Sequence, residues 1–255
     1  MRRDGRLRPG HECIDDFLLA GLVEVDRELV AFDGRNRAIA EFLVKHAVAQ
    51  AERKALLWLA ARMPACVNSD HLTMAGFAAM FLAGASYALA RVSHAGLLLA
   101  TLFLVINWFG DSLDGTLARV RNRQRPRYGF YVDHMIDTFG GLFLMGGLAI
   151  SGFLDWRIAL GMFIAFLMLS VQVYLATYTV GNFQLSFAKF GPTEIRILLA
   201  LGNAALWFHP DARVFGSPFR LFDVGGMIAV AGMAGMLVAS TICNTVKLYR
   251  AETLD

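Results

Sequence analysis

The sequence predicts an all-α integral membrane protein, with six transmembrane helices preceded by a helix lying at the cytoplasmic interface. Three observations lead there. Of the 255 residues, 56% are hydrophobic and 12% aromatic, and the mean hydropathy is +0.50, which is too apolar for an ordinary soluble domain of this length. The apolar residues gather into runs separated by short basic segments, the pattern of helices that cross a bilayer. The stretch Asp111–Asp137, DSLDGTLARVRNRQRPRYGFYVDHMID, places four aspartates where one apolar run ends and the next begins. A carboxylate at membrane depth costs about 2.5–3.5 kcal/mol even on lenient insertion scales, so four together point to chemistry that needs them.

Residues 1–35 are mixed in charge with weak periodicity, and read as a cytoplasmic arm without a cleaved signal peptide. Residues 36–63 read as an amphipathic helix. Ile39, Phe42, Leu43, Ala47, Ala51, Ala55, Trp58 and Leu59 recur at spacings of three and four, with Glu41, Lys45 and Glu52 on another side. This helix either lies on the membrane or packs on the protein's own cytoplasmic side. Pro64 ends it, and residues 64–250 form the transmembrane domain.

Asn68, Ser69 and Asp70 supply capping side chains for a first span from Leu72 to about Ala90. The second, Ala95–Phe109, is short by bilayer standards unless its helix continues through Asp111 and Asp114 towards Arg119. The third begins at about Tyr131, with Asp133 and Asp137 in its first turns, and the fourth runs from about Ile158 to Val180. The fifth, Ile195–Phe208, is again short, and the sixth covers Val224–Val246. With the N-terminus inside, 20 of the 24 Lys and Arg residues fall on the cytoplasmic side, so the positive-inside rule places both termini and the aspartate stretch there.

The net charge of +3 is explained by this topology, and no nucleic-acid partner is expected. Cys13, Cys66 and Cys243 are odd in number and far apart, and indicate neither a disulfide framework nor a zinc site. The alternation Arg121, Arg123, Arg125, Arg127 reads as a solvated loop facing lipid phosphates.

Asp111 and Asp114 are three apart and Asp133 and Asp137 four apart, so each pair shares one helix face. Four carboxylates in one cavity repel unless cations neutralise them, and hard oxygen donors suit Mg²⁺ or Mn²⁺. Two divalent cations satisfy the charge most simply, and such a cluster handles pyrophosphate chemistry. Gly115, Ala118 and Gly129 would let a ligand approach the backbone, and Arg119 offers a planar fork to phosphate. Gly140, Gly141, Gly146 and Gly147, and the Ala231, Gly235, Ala239 series, read instead as small residues for tight helix contacts.

The pattern Asp111-x2-Asp114-Gly115-x2-Ala118-Arg119-x9-Gly129-x3-Asp133-x3-Asp137 resembles the signature of the CDP-alcohol phosphatidyltransferase family, with all eight specified positions present. The likeness covers roughly residues 36–250. It implies transfer of a substituted phosphate from a CDP-linked donor to an alcohol acceptor, with release of CMP, by a homodimer in a bacterial inner membrane in contact with membrane lipids. Under it, Asp111, Asp114, Asp133 and Asp137 are metal ligands and Asp137 is also the base that deprotonates the acceptor. Gly115, Ala118, Arg119 and Gly129 then line the CMP pocket. His134 is reminiscent of the aminoalcohol branch, although a lone histidine is more often packed. Glu194 and Arg196, in GPTEIR, are candidates to close the site or bind the acceptor. CDP-diacylglycerol is the expected donor, and a CDP-linked small alcohol with a lipid acceptor is the alternative. An ion or metal transporter is the non-enzyme alternative, but all four acids cluster within 27 residues with no matching interrupted segment in the other half.

Overall fold

The computed structural model describes residues 50, 52–180, 192–208, 211–214 and 217–252. The expected arm at 1–35 and the first half of the expected interfacial helix lie outside the described residues. Residues 52–62 are helical. Six further helices follow: α1 Ser69–Ala90, α2 Ala95–Val120, α3 Pro126–Ser151, α4 Trp156–Val180, α5 Pro192–Phe208 and α6 Leu221–Ala251. Five of the six are long and apolar enough to cross a membrane, and the chain is an integral membrane protein. The exception is α5. At 17 residues it rises about 26 Å, short of a hydrocarbon core of about 30 Å.

One expected extension is present, and two features differ from the sequence-based expectation, the start of α3 and the link between α5 and α6. Helix α2 continues unbroken past Phe109 to Val120, the continuation that its short apolar run required, so Asp111 and Asp114 stand on a helix. Helix α3 starts five residues earlier than Tyr131, because Pro126 occupies its first turn, where the missing N–H is not needed. Asp133 and Asp137 are thereby moved one to two turns into the helix. Between α5 and α6 the chain forms a short antiparallel hairpin, β1 Asp211–Val214 with β2 Ser217–Arg220. Four-residue strands leave too little alternation to read in advance.

Helix α1 is the centre of the bundle, packing along both α2 and α3, while α3 meets α4, α2 meets α5 and α4 meets α6. Its contact with α3 is backbone on backbone. A Cβ on Gly147 would lie 2.0 Å from the Gly84 carbonyl oxygen, and one on Gly84 would lie 2.2 Å from that of Phe143. The contact with α2 is almost as close, since a Cβ on Gly110 would meet the Leu72 carbonyl oxygen at 2.8 Å. Small residues permit this approach where lipid supplies no hydrophobic drive between helices. Gly147 fits the expected packing role, whereas Gly146 and Gly235 have no neighbour within 4 Å of an added Cβ and do not.

The core runs through Ala83, Tyr87, Leu97, Leu104, Leu144 and Leu148. Leu98, Leu102 and Val105 stand exposed on α2, as lipid-facing side chains do. Tyr87 is fully buried and donates to Asn203 Oδ1 at 2.9 Å, and Asn203 Nδ2 donates to Thr101 at 3.0 Å, which joins α1, α5 and α2. Gln172 donates to Ser240 at 2.6 Å between α4 and α6.

Segment 52–62 packs on the protein itself and keeps a second, exposed face. Leu56, Leu59 and Ala60 pack against Leu72, Leu113 and Leu117, while Leu57 and Trp58 remain exposed and Arg62 lies 3.9 Å over the Trp58 ring. The arginines after α2 are not simply a solvated loop. Arg121 donates to the carbonyl oxygens of Met63, Pro64 and Val67, closing the turn between this segment and α1, and Arg125 pairs with Asp70. Cys66 is a free, exposed thiol.

The glycine contact is testable by paired substitutions. Gly147→Ala forces α1 and α3 apart and is expected to remove about 1–3 kcal/mol, the usual cost of overpacking. Gly146→Ala, next to it but facing open space, should leave the detergent-solubilised melting temperature unchanged.

Candidate active site

The site lies where the C-terminal turns of α2 meet the N-terminal turns of α1 and α3. The helical periods put Asp111 and Asp114 on one face of α2, and Asp133 and Asp137 on one face of α3. Across the gap, Asp114 lies within electrostatic reach of Asp111 and Asp133, and Asp137 within reach of Asp111 and Asp133. The two pairs therefore form one anionic cluster.

Its members are held differently. Asp114 is buried, at 9% exposure. Its Oδ2 accepts from the Thr73 hydroxyl at 2.6 Å, its Oδ1 lies 2.5 Å from the Gly115 N–H, and its backbone carbonyl accepts from Ser69 at 3.0 Å. Asp111, Asp133 and Asp137 are exposed to the cleft. Asp111 is paired with Arg196 of α5, Nη2 to Oδ2 at 2.9 Å, and the same guanidinium acts on Asp137. Thus α5, although short, delivers a cation to the cluster from across the bundle.

The other expected residues divide. A Cβ on Gly129 would meet nothing within 4 Å, and one on Gly115 only the Arg119 guanidinium at 4.0 Å. Both glycines thus border open space, and Ala118 on α2 is half-buried. Arg119 turns to Thr116, Nη2 to Oγ1 at 3.2 Å, and lines a cavity of about 610 Å³ between α2 and segment 52–62, together with Glu52, Arg53, Leu56 and Leu57. His134 is packed. Its ring stacks on Phe130 at 4.2 Å, meets Tyr174 edge-on at 4.9 Å, and has Nδ1 2.6 Å from the Phe130 carbonyl oxygen. Glu194 falls in the first turn of α5, and its side chain lies outside those described.

Sequence reasoning missed Ser69 and Thr73. Their only signal was a pair of hydroxyls four apart at the mouth of an apolar span, which capping explained equally well.

The donor set suits a hard divalent cation in kind. It consists of carboxylate oxygens only, and among the described residues Arg196 is the cation in ion-pair contact with it. The distances do not themselves define a coordination sphere. Among the described residues, no three His, Cys, Asp or Glu side chains are gathered closely enough to hold an ion. Four like charges facing one guanidinium have an electrostatic reason to stand apart.

Comparison with known proteins adds two findings. Residues 67–240 match the family described as CDP-alcohol phosphatidyltransferase. The archaetidylinositol phosphate synthase of Pyrococcus horikoshii is 27% identical over 135 residues, covering 52% of this chain and 69% of that protein.

The Arg196–Asp111 pair can be tested without reference to turnover. In divalent-free buffer, Arg196→Gln is expected to lower stability by about 1 kcal/mol, or about 2–4 °C in melting temperature for a chain of this size.

Proposed function

Because this chain belongs to the CDP-alcohol phosphatidyltransferase family, and is therefore a phosphotransferase and not an ion pathway, we propose that it moves a phosphatidyl group from CDP-diacylglycerol to a small polar alcohol. The observation that carries this reading is the anionic cluster itself: Asp111 and Asp114 on α2 facing Asp133 and Asp137 on α3, beside glycines that border open space. The similarity to an archaetidylinositol phosphate synthase favours a lipid-linked donor over a CDP-linked aminoalcohol, and makes a phosphorylated polyol the first acceptor to try.

In this reading the reaction is an in-line displacement at the phosphorus bonded to the lipid alcohol. Asp137 accepts the proton of the acceptor hydroxyl, and the freed oxygen forms a bond to that phosphorus. The bond from the phosphorus to the bridging oxygen breaks, and CMP leaves with the electron pair. Asp111, Asp114, Asp133 and Asp137 would hold two divalent cations, Mg²⁺ or Mn²⁺, which supply charge neutralisation at the pyrophosphate. Members of the family are generally divalent-metal dependent. Gly115, Ala118 and Gly129 leave room for the nucleotide, Arg119 contacts it from the rim, and Arg196 with Glu194 meets the acceptor head group. His134 supports this wall of the site through Phe130 and Tyr174. The protein is proposed to work as a homodimer in a bacterial inner membrane, with the cluster on the cytoplasmic side.

Purified protein should release CMP from CDP-diacylglycerol in the presence of Mg²⁺ or Mn²⁺, and stop when the metal is chelated. Asp137→Asn is expected to lower kcat by about 10²–10⁴-fold, the range of a lost general base, with donor binding retained. Full activity in that variant removes Asp137 from its role. No CMP release from either CDP-diacylglycerol or a CDP-linked aminoalcohol, across a panel of acceptors, refutes the proposed reaction.

A further inference from the structure

Asp114 differs from the other three aspartates in being buried, and its side chain accepts a hydroxyl hydrogen bond from another helix. Thr73, half-buried four residues into α1, points its hydroxyl at Oδ2 across 2.6 Å. The same hydroxyl lies 3.1 Å from the carbonyl oxygen of Ser69. A hydroxyl carries one proton and can donate to only one of these at a time. The carboxylate is the nearer acceptor and the charged one, and charge-assisted bonds are the shorter and stronger kind, so the proton lies towards Asp114. The Ser69 hydroxyl, one turn earlier, holds the Asp114 backbone at 3.0 Å. Two hydroxyls of α1 thereby bind the side chain and the main chain of one residue on α2. An oxygen that accepts one hydrogen bond keeps further lone-pair capacity, so the contact orients the carboxylate without occupying it.

We propose that Thr73 is a positioning residue, whose hydroxyl holds the Asp114 carboxylate in the orientation that receives a divalent cation. The proposal rests on the metal reading of the aspartate cluster. Its physical content is that a ligating carboxylate fixed by an outer hydrogen bond loses less freedom on binding, and that such outer partners are worth about 10–100-fold in metal affinity or activity. Packing alone makes a different demand on position 73. It needs the branched shape of threonine and is indifferent to its hydroxyl.

The test is direct Mn²⁺ binding to the purified full chain in detergent, read from the electron paramagnetic resonance signal of free Mn²⁺, beside the Mg²⁺ dependence of CMP release. Thr73→Val keeps the shape and removes the hydroxyl, and is expected to weaken Mn²⁺ binding by about 10-fold or more. Its activity should recover in large part at saturating cation. Thr73→Ser keeps the hydroxyl and loses the methyl, and should bind Mn²⁺ within about threefold of the wild type, well inside the range expected for a lost outer partner. Thr73→Ala is carried in parallel, so that a folding failure of the valine variant leaves the comparison intact. Wild-type Mn²⁺ affinity in the valine and alanine variants overturns the proposal, as does a serine variant as weak as the valine one. If the wild-type chain binds no Mn²⁺, the metal reading fails and this proposal fails with it; if only the variants match the wild type, the positioning role alone is lost.

Discussion

Like charges repel each other where little water screens them, and this bundle must hold four carboxylates at one end of the two helices that flank α1. Helix α1 makes the arrangement possible. Packed between α2 and α3, it approaches α2 at Gly110 and α3 at Gly147, with no room at either crossing for a side chain. That wedge sets the separation of the two acid-bearing helices, and its own first turns carry the hydroxyls that bind Asp114. The positions of the aspartates therefore depend on backbone contacts, one at Gly110 beside Asp111 and one at Gly147 further along α3.

A second set of interactions ties the remaining helices to this core. Within lipid, polar side chains find partners on neighbouring helices, each contact worth about 0.6 kcal/mol on average. Tyr87, Asn203 and Thr101 link α1, α5 and α2 in this way, and Gln172 with Ser240 links α4 to α6. The first group bears on chemistry. Because α5 is too short to span by itself, its anchoring through Asn203 fixes the level at which Arg196 meets Asp111. The guanidinium is thus a counter-charge that a separate helix supplies to the cluster.

Segment 52–62 shows how one amphipathic helix serves two surfaces. Its narrow inner stripe of Leu56, Leu59 and Ala60 seals the ends of α1 and α2. Leu57 and Trp58, with Arg62 above the indole, face outward, an arrangement suited to the bilayer interface, where aromatic rings and long basic side chains settle. Arg121 then locks the turn that follows by satisfying three carbonyl groups. The cavity bordered by Arg119 is consequently walled on one side by this segment.

Hydropathy runs are read over neighbouring residues, so the apolar segments, their order and the acid-bearing faces of α2 and α3 were legible in the chain itself. The spacings of Asp111 with Asp114, and of Asp133 with Asp137, need only the helical period to place each pair on one side. The start of α3 was misplaced because a proline that opens a helix and one that ends it look alike without the chain's path. The partners were decided by the tertiary structure alone. Thr73 lies 41 residues from Asp114 and Arg196 lies 85 from Asp111, and no local pattern encodes such pairings. Gly84 and Gly147 likewise look like any other glycines in apolar helices until the crossing shows which backbone each one meets. Periodicity specifies the face a residue occupies on its own helix, whereas what stands opposite that face depends on how the helices cross.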